Sequence, residues 1–228
     1  MDPARKRRFK DEIFAQFARV GHALSNGRRL ELIDILAQSE RTVEELAREA
    51  DMSIANTSQH LQVLRRVRVV DSRQEGTYVY YRLDGDEAFR LWQALRQFGD
   101  ERLSDIGRIV DDFLERREMM EPVQMDELLD RVRNGGVVLL DVRPRKEFEA
   151  GHIAGARSMP LEELEERLHE IPADADVVAY CRGPYCVFAD EAARRLALKG
   201  IGARRLSVGF PDWKLAGHPV AHVEADVR

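Results

Sequence analysis

Two short, almost wholly apolar runs constrain this chain more than any other feature: VVLLDV at 137–142 and VVAYC at 177–181. Neither alternates apolar with polar residues, so each is expected to be buried on both faces, the habit of strands in a parallel sheet. Parallel strands need crossovers, usually helices. Met125–Arg133 reads as a helix, and residues 187–199 read as another that stops at Gly200, a C-cap signal. Residues 203–208 read as a third strand. Strands alternating with helices predict an α/β unit in the second half.

The first half follows a different period. Ile13, Phe14, Phe17, Val20 and Leu24 recur at helical spacing over 9–25, and Asn26-Gly27 breaks the pattern. Leu30, Leu32, Ile33, Ile35 and Leu36 mark a second helix. Thr42 with Glu45 forms a capping box for a short third helix, TVEELAREA. After Asp51-Met52, Ser53 caps a fourth, IANTSQHLQVLRRV. Two short helices across a tight turn predict a helix-turn-helix. VVDSRQEGTYVYYRL then predicts a β-hairpin turning at Glu75-Gly76. Phe89, Trp92, Leu95, Phe98, Leu103, Ile106, Val110 and Phe113 predict one long helix over 84–118, with apolar surface to spare for a dimer contact. Glu121 precedes Pro122, which disfavours helix there. The expected organisation is therefore 1–118, a linker at 119–124, and 125–228.

Composition narrows the function classes. Hydrophobic residues make up 44% of the 228, and no run reaches the roughly 18 apolar residues of a membrane helix. The start, MDPARKRRFKDEIF, lacks the apolar core of a signal peptide. Two cysteines make no disulfide framework, so a reducing cytoplasm is expected. Residues 1–83 carry 15 Lys+Arg against 12 Asp+Glu, and residues 84–228 carry 21 against 29. A mildly basic front and an acidic back imply two domains with different partners.

Both cysteines lie in CRGPYC, residues 181–186. Three readings stand: a structural disulfide, a metal knuckle, or a reactive thiolate with a second thiol beside it. Zinc needs about four ligands in paired spacings, and six scattered histidines do not supply them. Cys181 falls where a buried strand ends and a helix is about to begin, where an open α/β sheet binds ligands. Loop and helix N–H groups converge there and favour an anion, which lowers a thiol's pKa. Arg182 adds positive charge, and Gly183 and Pro184 allow a tight loop. That position makes Cys181 a candidate nucleophile for anionic or soft electrophiles.

LLDVRPRKEFEAGHIAGARSMP (139–160), YCRGPYC and GFPDWKLAGHPV (209–220) together resemble the signature blocks of the rhodanese family, in order and over about residues 123–221. The resemblance implies an α/β domain whose cysteine carries sulfane sulfur as a persulfide. By that likeness Cys181 is the nucleophile, Arg182 and the loop amides form the cradle, and Gly183, Pro184, Tyr185 and Val187 belong to the substrate loop. Asp141, Arg143 and Glu147 form a structural ion-pair network near it. Cys186 stands where the family often has a second basic residue. That weakens thiosulfate binding and puts a resolving thiol beside a persulfide. Val187 stands where phosphatases and arsenate reductases related to this fold have an anion-clamping Arg, so phosphoryl chemistry is not expected.

LSNGRRLELIDIL (24–36), TVEELAREADMSIANTSQHLQVLRRVRVV (42–70) and RQEGTYVYYRL (73–83) resemble the ArsR-type winged-helix repressors over about residues 10–115. The resemblance implies a dimer on a palindromic operator. Ser53, Asn56, Thr57, Ser58, Gln59 and His60 are candidate base contacts, with Ser53 equally a helix cap. Arg65, Arg66, Arg68 and wing Arg73 are candidate phosphate contacts. Residues 1–118 contain no Cys, and their histidines are His22 and His60, so the front half has no evident sensor of its own.

The expected fold is thus mixed: a mainly α winged helix-turn-helix, then an α/β rhodanese-like parallel sheet. The expected function is a DNA-binding repressor in which Cys181 accepts sulfane sulfur or is oxidised and Cys186 resolves it. The alternative is a thiosulfate or persulfide sulfurtransferase with the front half as tether or autoregulator; an inert back half that only stabilises the dimer is a third reading. Expected partners are an operator duplex, a second copy of the chain, a sulfur donor and an acceptor thiol, with no membrane, cofactor or metal.

Overall fold

The computed structural model describes residues 2–114, 122–172 and 174–223, and divides into two compact units, Met1–Trp92 and Gln93–Arg228. The first unit opens with α1 (Pro3–Leu24), which starts earlier than the apolar spacing indicates because Asp2 caps it and Pro3 sits in its first turn. Then come α2 (Gly27–Leu36), β1 (Arg41–Thr42), α3 (Val43–Glu49) and α4 (Ile54–Arg66). The Thr42–Glu45 capping box forms as the sequence requires: Thr42 Oγ1 accepts from Glu45 N at 3.2 Å, and Glu45 accepts from Thr42 N at 2.9 Å. Ser53 caps α4 by accepting from Asn56 N at 3.2 Å.

The hairpin follows as β2 (Val70–Glu75) and β3 (Tyr78–Leu83), and β3 also pairs with β1, giving the antiparallel order β1-β3-β2. Gly76 takes a left-handed φ of 60° in the turn, which a side chain would resist. Leu32, Ile33 and Leu36 from α2, Leu46 from α3, Leu61 and Leu64 from α4, and Val70 and Tyr81 from the sheet form the core. Trp92 at the end of this unit donates its indole N–H to Asp34 at 3.0 Å.

The single helix expected over 84–118 is two: α5 (Asp86–Arg102) and α6 (Ser104–Phe113), separated at Leu103, whose φ of −109° and ψ of 94° are extended. The apolar spacing carries the reason. Its steps of three or four are interrupted by a step of five from Phe98 to Leu103, so one continuous helix would turn the two apolar sets to different faces. Residues 115–118 of that expected helix, and 119–121 of the expected linker, lie outside the described residues.

The second unit continues with α7 (Met125–Arg133), β4 (Val138–Asp141), α8 (Arg145–Ala150), β5 (His152–Ile153), β6 (Arg157–Ser158), β7 (Val177–Tyr180), α9 (Val187–Leu198), β8 (Ala203–Arg205), α10 (Phe210–Leu215) and β9 (Val220–Ala221). β4, β6, β7 and β8 form a parallel sheet in the order β6-β4-β7-β8, and β5 pairs antiparallel with β9. The two apolar runs are neighbours in its centre, Leu140 opposite Ala179.

Strand parity divides the core in two. Leu140, Val142, Val177, Ala179 and Cys181 join Ala189, Ala192 and Leu196 of α9 on one face. Leu139, Val178 and Tyr180 join Leu128 of α7 and Phe210 and Trp213 of α10 on the other. This two-residue period sends Cys181 and Tyr180, adjacent in sequence, to opposite faces.

The buried and exposed sides of α4 contribute unequally to stability. Leu61→Ala should cost about 2–5 kcal/mol in urea unfolding, since Leu61 is fully buried. Gln59→Ala, on the exposed side of the same helix, should leave the midpoint within about 0.5 kcal/mol.

Candidate functional site

The thiol loop is the segment between the end of β7 and the start of α9. Cys181 leaves the strand with 2% of its surface exposed, and Cys186 is the N-cap of α9. The two are joined as a disulfide, their Cα atoms 6.2 Å apart. Between them the chain turns back on itself: Cys186 N donates to Gly183 O at 3.1 Å. Tyr185 and Val187 are exposed, while Arg182, Gly183 and Pro184 are half-buried. In this state neither sulfur is a nucleophile, so reduction must precede any sulfur transfer.

The loop rests on backbone. Phe210 N donates to Cys181 O at 3.2 Å. Gly209 lies so close to the Arg182 carbonyl and the Gly183 amide that a Cβ there would overlap both. Its φ of −97° is ordinary, so glycine is needed for close approach and not for backbone freedom.

Buried charge frames the loop on its other side. Asp141, fully buried at the end of β4, accepts from Arg143 N at 3.0 Å, from Arg143 Nη2 at 2.6 Å and from the Tyr180 hydroxyl at 2.6 Å. Tyr180 in turn accepts from Ile153 N at 3.1 Å. Burial first, then the Asp141 charge, pushes the Tyr180 pKa well above the usual phenol value, so the hydroxyl stays a donor. Burial opposes the charge on Arg143, but Asp141 outweighs it and the guanidinium pKa rises. Arg143 also lies over the Phe210 ring at 4.4 Å and donates to Gly151 O at 2.7 Å. Glu147, fully buried on α8, accepts from Arg182 Nη2 at 2.5 Å and Nε at 3.2 Å. Arg182 is thus held to Glu147 as part of this frame. A cavity of about 210 Å³ lined by Val142, Pro144, Pro160, Leu161, Glu162, Phe188 and Arg195 opens on the α9 side of the sheet.

In the first unit, α4 carries the remaining candidates. Asn56 and Gln59 are exposed, and Ser58 and His60 are half-buried. Ser53 is spent on capping. Thr57 is fully buried and donates to Ser53 O at 3.0 Å, so it is not presented as the sequence reading expected: a residue four beyond the cap faces the helix's own first turn. Arg65 and Arg66 are exposed in the last turn. Arg68 pairs with Asp84 at 3.0 Å. Wing Arg73 is engaged by Glu40 at 2.6 Å and by Glu75, and stacks over Tyr80. Its guanidinium must exchange carboxylates for phosphate before it can meet DNA. Desolvation, then Arg29 and Arg28, lower the His60 pKa, so the ring is neutral at pH 7.

Sequence reading missed Tyr180, Gly209 and Asp212. Tyr180 is the one polar tip in an apolar run, a usable signal. Gly209 acts through contact with a loop distant in sequence, and Asp212 on α10 through bonds from Gln93 and Arg96 of α5, neither of which spacing encodes.

Gly209→Ala should displace the Arg182–Gly183 backbone, at a cost of about 1–3 kcal/mol as overpacking. The check is thermal unfolding together with the alkylation rate of Cys181 after reduction, which should change while the secondary-structure content by circular dichroism does not.

Residues 124–216 match the rhodanese-like domain family, and residues 26–72 match the bacterial regulatory proteins of the arsR family. The chain is similar to the HTH-type transcriptional regulator Rv0324 of Mycobacterium tuberculosis, 44% identical over 211 residues that make up 92% of each chain. A sulfurtransferase of Allochromatium vinosum is 31% identical over 108 residues, 46% of this chain and 99% of that one. A homodimeric winged helix-turn-helix domain of Mycobacterium bovis, solved by NMR, is 44% identical over 41% of this chain and 87% of its own, with a TM-score of 0.40. With one relative matched across nearly the whole of both chains, and the two domain families matched in sequence along this one, the chain belongs to the ArsR-type helix-turn-helix transcriptional regulators that carry a C-terminal rhodanese-like domain.

Proposed function

We propose that this regulator binds operator DNA as a homodimer and that its thiol loop senses reactive sulfur species. The observation that carries the reading is the placement of the chain's thiols. Both lie in one loop between β7 and α9, joined to each other, and the helix-turn-helix half has none. Exposed Phe9, Phe14 and Phe17 on α1 and Phe98 on α5 give apolar surface for a second copy. Asn56, Ser58, Gln59 and His60 read base edges, while Arg65 and Arg66 meet phosphates.

The chemistry balances with a persulfide or polysulfide as co-reactant. The Cys181 thiolate attacks the outer sulfur of R–S–SH, its S–S bond breaks, and RSH leaves. Cys181 now carries a persulfide. The Cys186 thiol then attacks the Cys181 sulfur, its proton passing to the departing sulfur, and HS⁻ leaves with the disulfide formed. Two electrons pass from the cysteine pair to the sulfane sulfur. Reduction by a cellular dithiol resets the loop.

The likeness to a sulfurtransferase favours a second reading, in which the Cys181 persulfide passes its sulfur to an external acceptor and turns over. Cys186 works against it, because an internal thiol competes with the acceptor for the same persulfide.

Gel-shift titration on the chain's own upstream DNA, reduced against polysulfide-treated, with intact mass on each sample, tests the reading. Treatment should weaken binding by about 5–150-fold as the mass falls by two protons or gains sulfur. Cys181→Ser should bind DNA normally and ignore polysulfide. Regulation that survives Cys181→Ser, or unchanged binding by a modified wild type, would refute sensing through this loop.

His60 adds a pH dependence. Its free-protein pKa lies below the ordinary value of about 6.5, and a nearby phosphate would raise it, so binding takes up a proton. DNA affinity should therefore rise as pH falls below about 6.5, an increase that His60→Gln removes. Fluorescence anisotropy across that window at fixed salt is the measurement.

A further inference from the structure

We infer that Arg96 of α5 is a positioning residue for the thiol loop, acting through Asp212 of α10. Within the second unit, Arg96 and Asp212 form an ion pair whose side chains are only 8% and 2% exposed. Gln93, one turn earlier on α5, donates to the same carboxylate oxygen at 2.8 Å. The other Asp212 oxygen accepts from Gly209 N at 3.3 Å. Gly209 is the residue packed on the Arg182 carbonyl, and Phe210 beside it holds the Cys181 carbonyl. The floor of the loop is therefore pinned to α5 through one buried carboxylate.

The same helix reaches the loop directly. Arg96 Nη1 comes within 3.6 Å of where a side chain on Gly183 would begin. The Tyr185 hydroxyl donates to Asp100, one turn beyond Arg96. Gln93, Arg96 and Asp100 are three and four residues apart, so they share one helix face. All three lie outside residues 124–216, the stretch that matches the rhodanese-like family. The loop thus depends on a helix that this family does not supply.

Two consequences follow. Removing the guanidinium leaves the Asp212 carboxylate buried without its main counter-charge, so the Gly209 floor must rearrange. It also removes a positive charge beside the loop, which disfavours a thiolate at Cys181. Both act differently on the dithiol and the disulfide, so Arg96 sets how readily the loop is oxidised. The regulatory meaning of this rests on the sulfur-sensing reading above, but the positioning role does not.

The experiment uses the full chain. Wild type, Arg96→Ala, Arg96→Lys and Gln93→Ala are equilibrated in dithiothreitol buffers of graded oxidised-to-reduced ratio, trapped by alkylation and weighed. Oxidised dithiothreitol takes two electrons and two protons from the cysteine pair as it is reduced, so the ratio at half-oxidation gives the equilibrium constant. The pH profile of Cys181 alkylation is recorded on the reduced proteins. Arg96→Ala should change the equilibrium constant about fivefold or more and move the alkylation profile to higher pH. Arg96→Lys should restore the profile, since it keeps the charge. Should Arg96→Ala fail to fold, Gln93→Ala, which removes one donor and no charge, should still shift the equilibrium constant away from that of wild type. An equilibrium constant and profile unchanged in a folded Arg96→Ala, or a Gln93→Ala equal to wild type where Arg96→Ala does not fold, would overturn the positioning role. Adding operator DNA to the same titration separates the two ideas. Binding linkage is reciprocal, so DNA must shift the equilibrium constant by the factor by which oxidation shifts affinity. An Arg96 effect without a DNA effect keeps Arg96 as a positioning residue and rejects the sulfur-sensing reading.

Discussion

Asp141 is a carboxylate with no surface of its own, and the second unit is arranged around that fact. A buried charge is costly unless its lone pairs are filled, and truncating one member of such a set costs about 3–5 kcal/mol. Arg143 and Tyr180 fill them. Each then fastens another segment: Arg143 the Gly151 carbonyl at the end of α8, and Tyr180 the Ile153 amide of β5. Glu147, on the same short helix, fastens Arg182 in the thiol loop. The carboxylate that ends one central strand thereby orients the loop that follows the next.

The loop is consequently held from two sides by different means. Charge-assisted bonds from Glu147 hold the Arg182 side chain, while backbone contact from Gly209 and Phe210 holds the main chain of Cys181 and Arg182. Such a frame leaves few conformations to the 181–186 segment, and it separates the two thiols by a distance at which they can join. In the first unit, the polar side of α4 lies over a core of mostly aliphatic residues, and residues 1–118 hold no cysteine.

Much of this was legible in the residues. Continuous apolar runs required a doubly covered parallel sheet, and the capping box of Thr42 and Glu45 marked a helix start to the residue. The step of five from Phe98 to Leu103 also stands in the sequence, inside an apolar pattern that otherwise reads as one long helix; the structure turns it into a break. The polarity of Thr57 suggests an outward contact, whereas its position relative to Ser53 decides where its hydroxyl goes. The roles of Gly209, Asp212 and Arg96 had no signal, because each acts on a segment far away in the chain.

Local pattern alone carries the helices α2, α3 and α4, the hairpin, the two apolar central strands, the change of period near the middle of the chain, and the placing of both thiols in one loop at a strand end. Those are properties of local pattern: hydrophobic period, caps and turn residues act within a few positions of where they are written. Tertiary packing sets what those segments meet: Cys181 is buried against α9 and Tyr180 against α7 and α10, Arg182 is held by Glu147, and Asp212 ties the floor of the loop to α5. Those facts depend on which surfaces meet when the sheet is assembled, and a buried charge finds its partner by proximity in space, not by spacing along the chain.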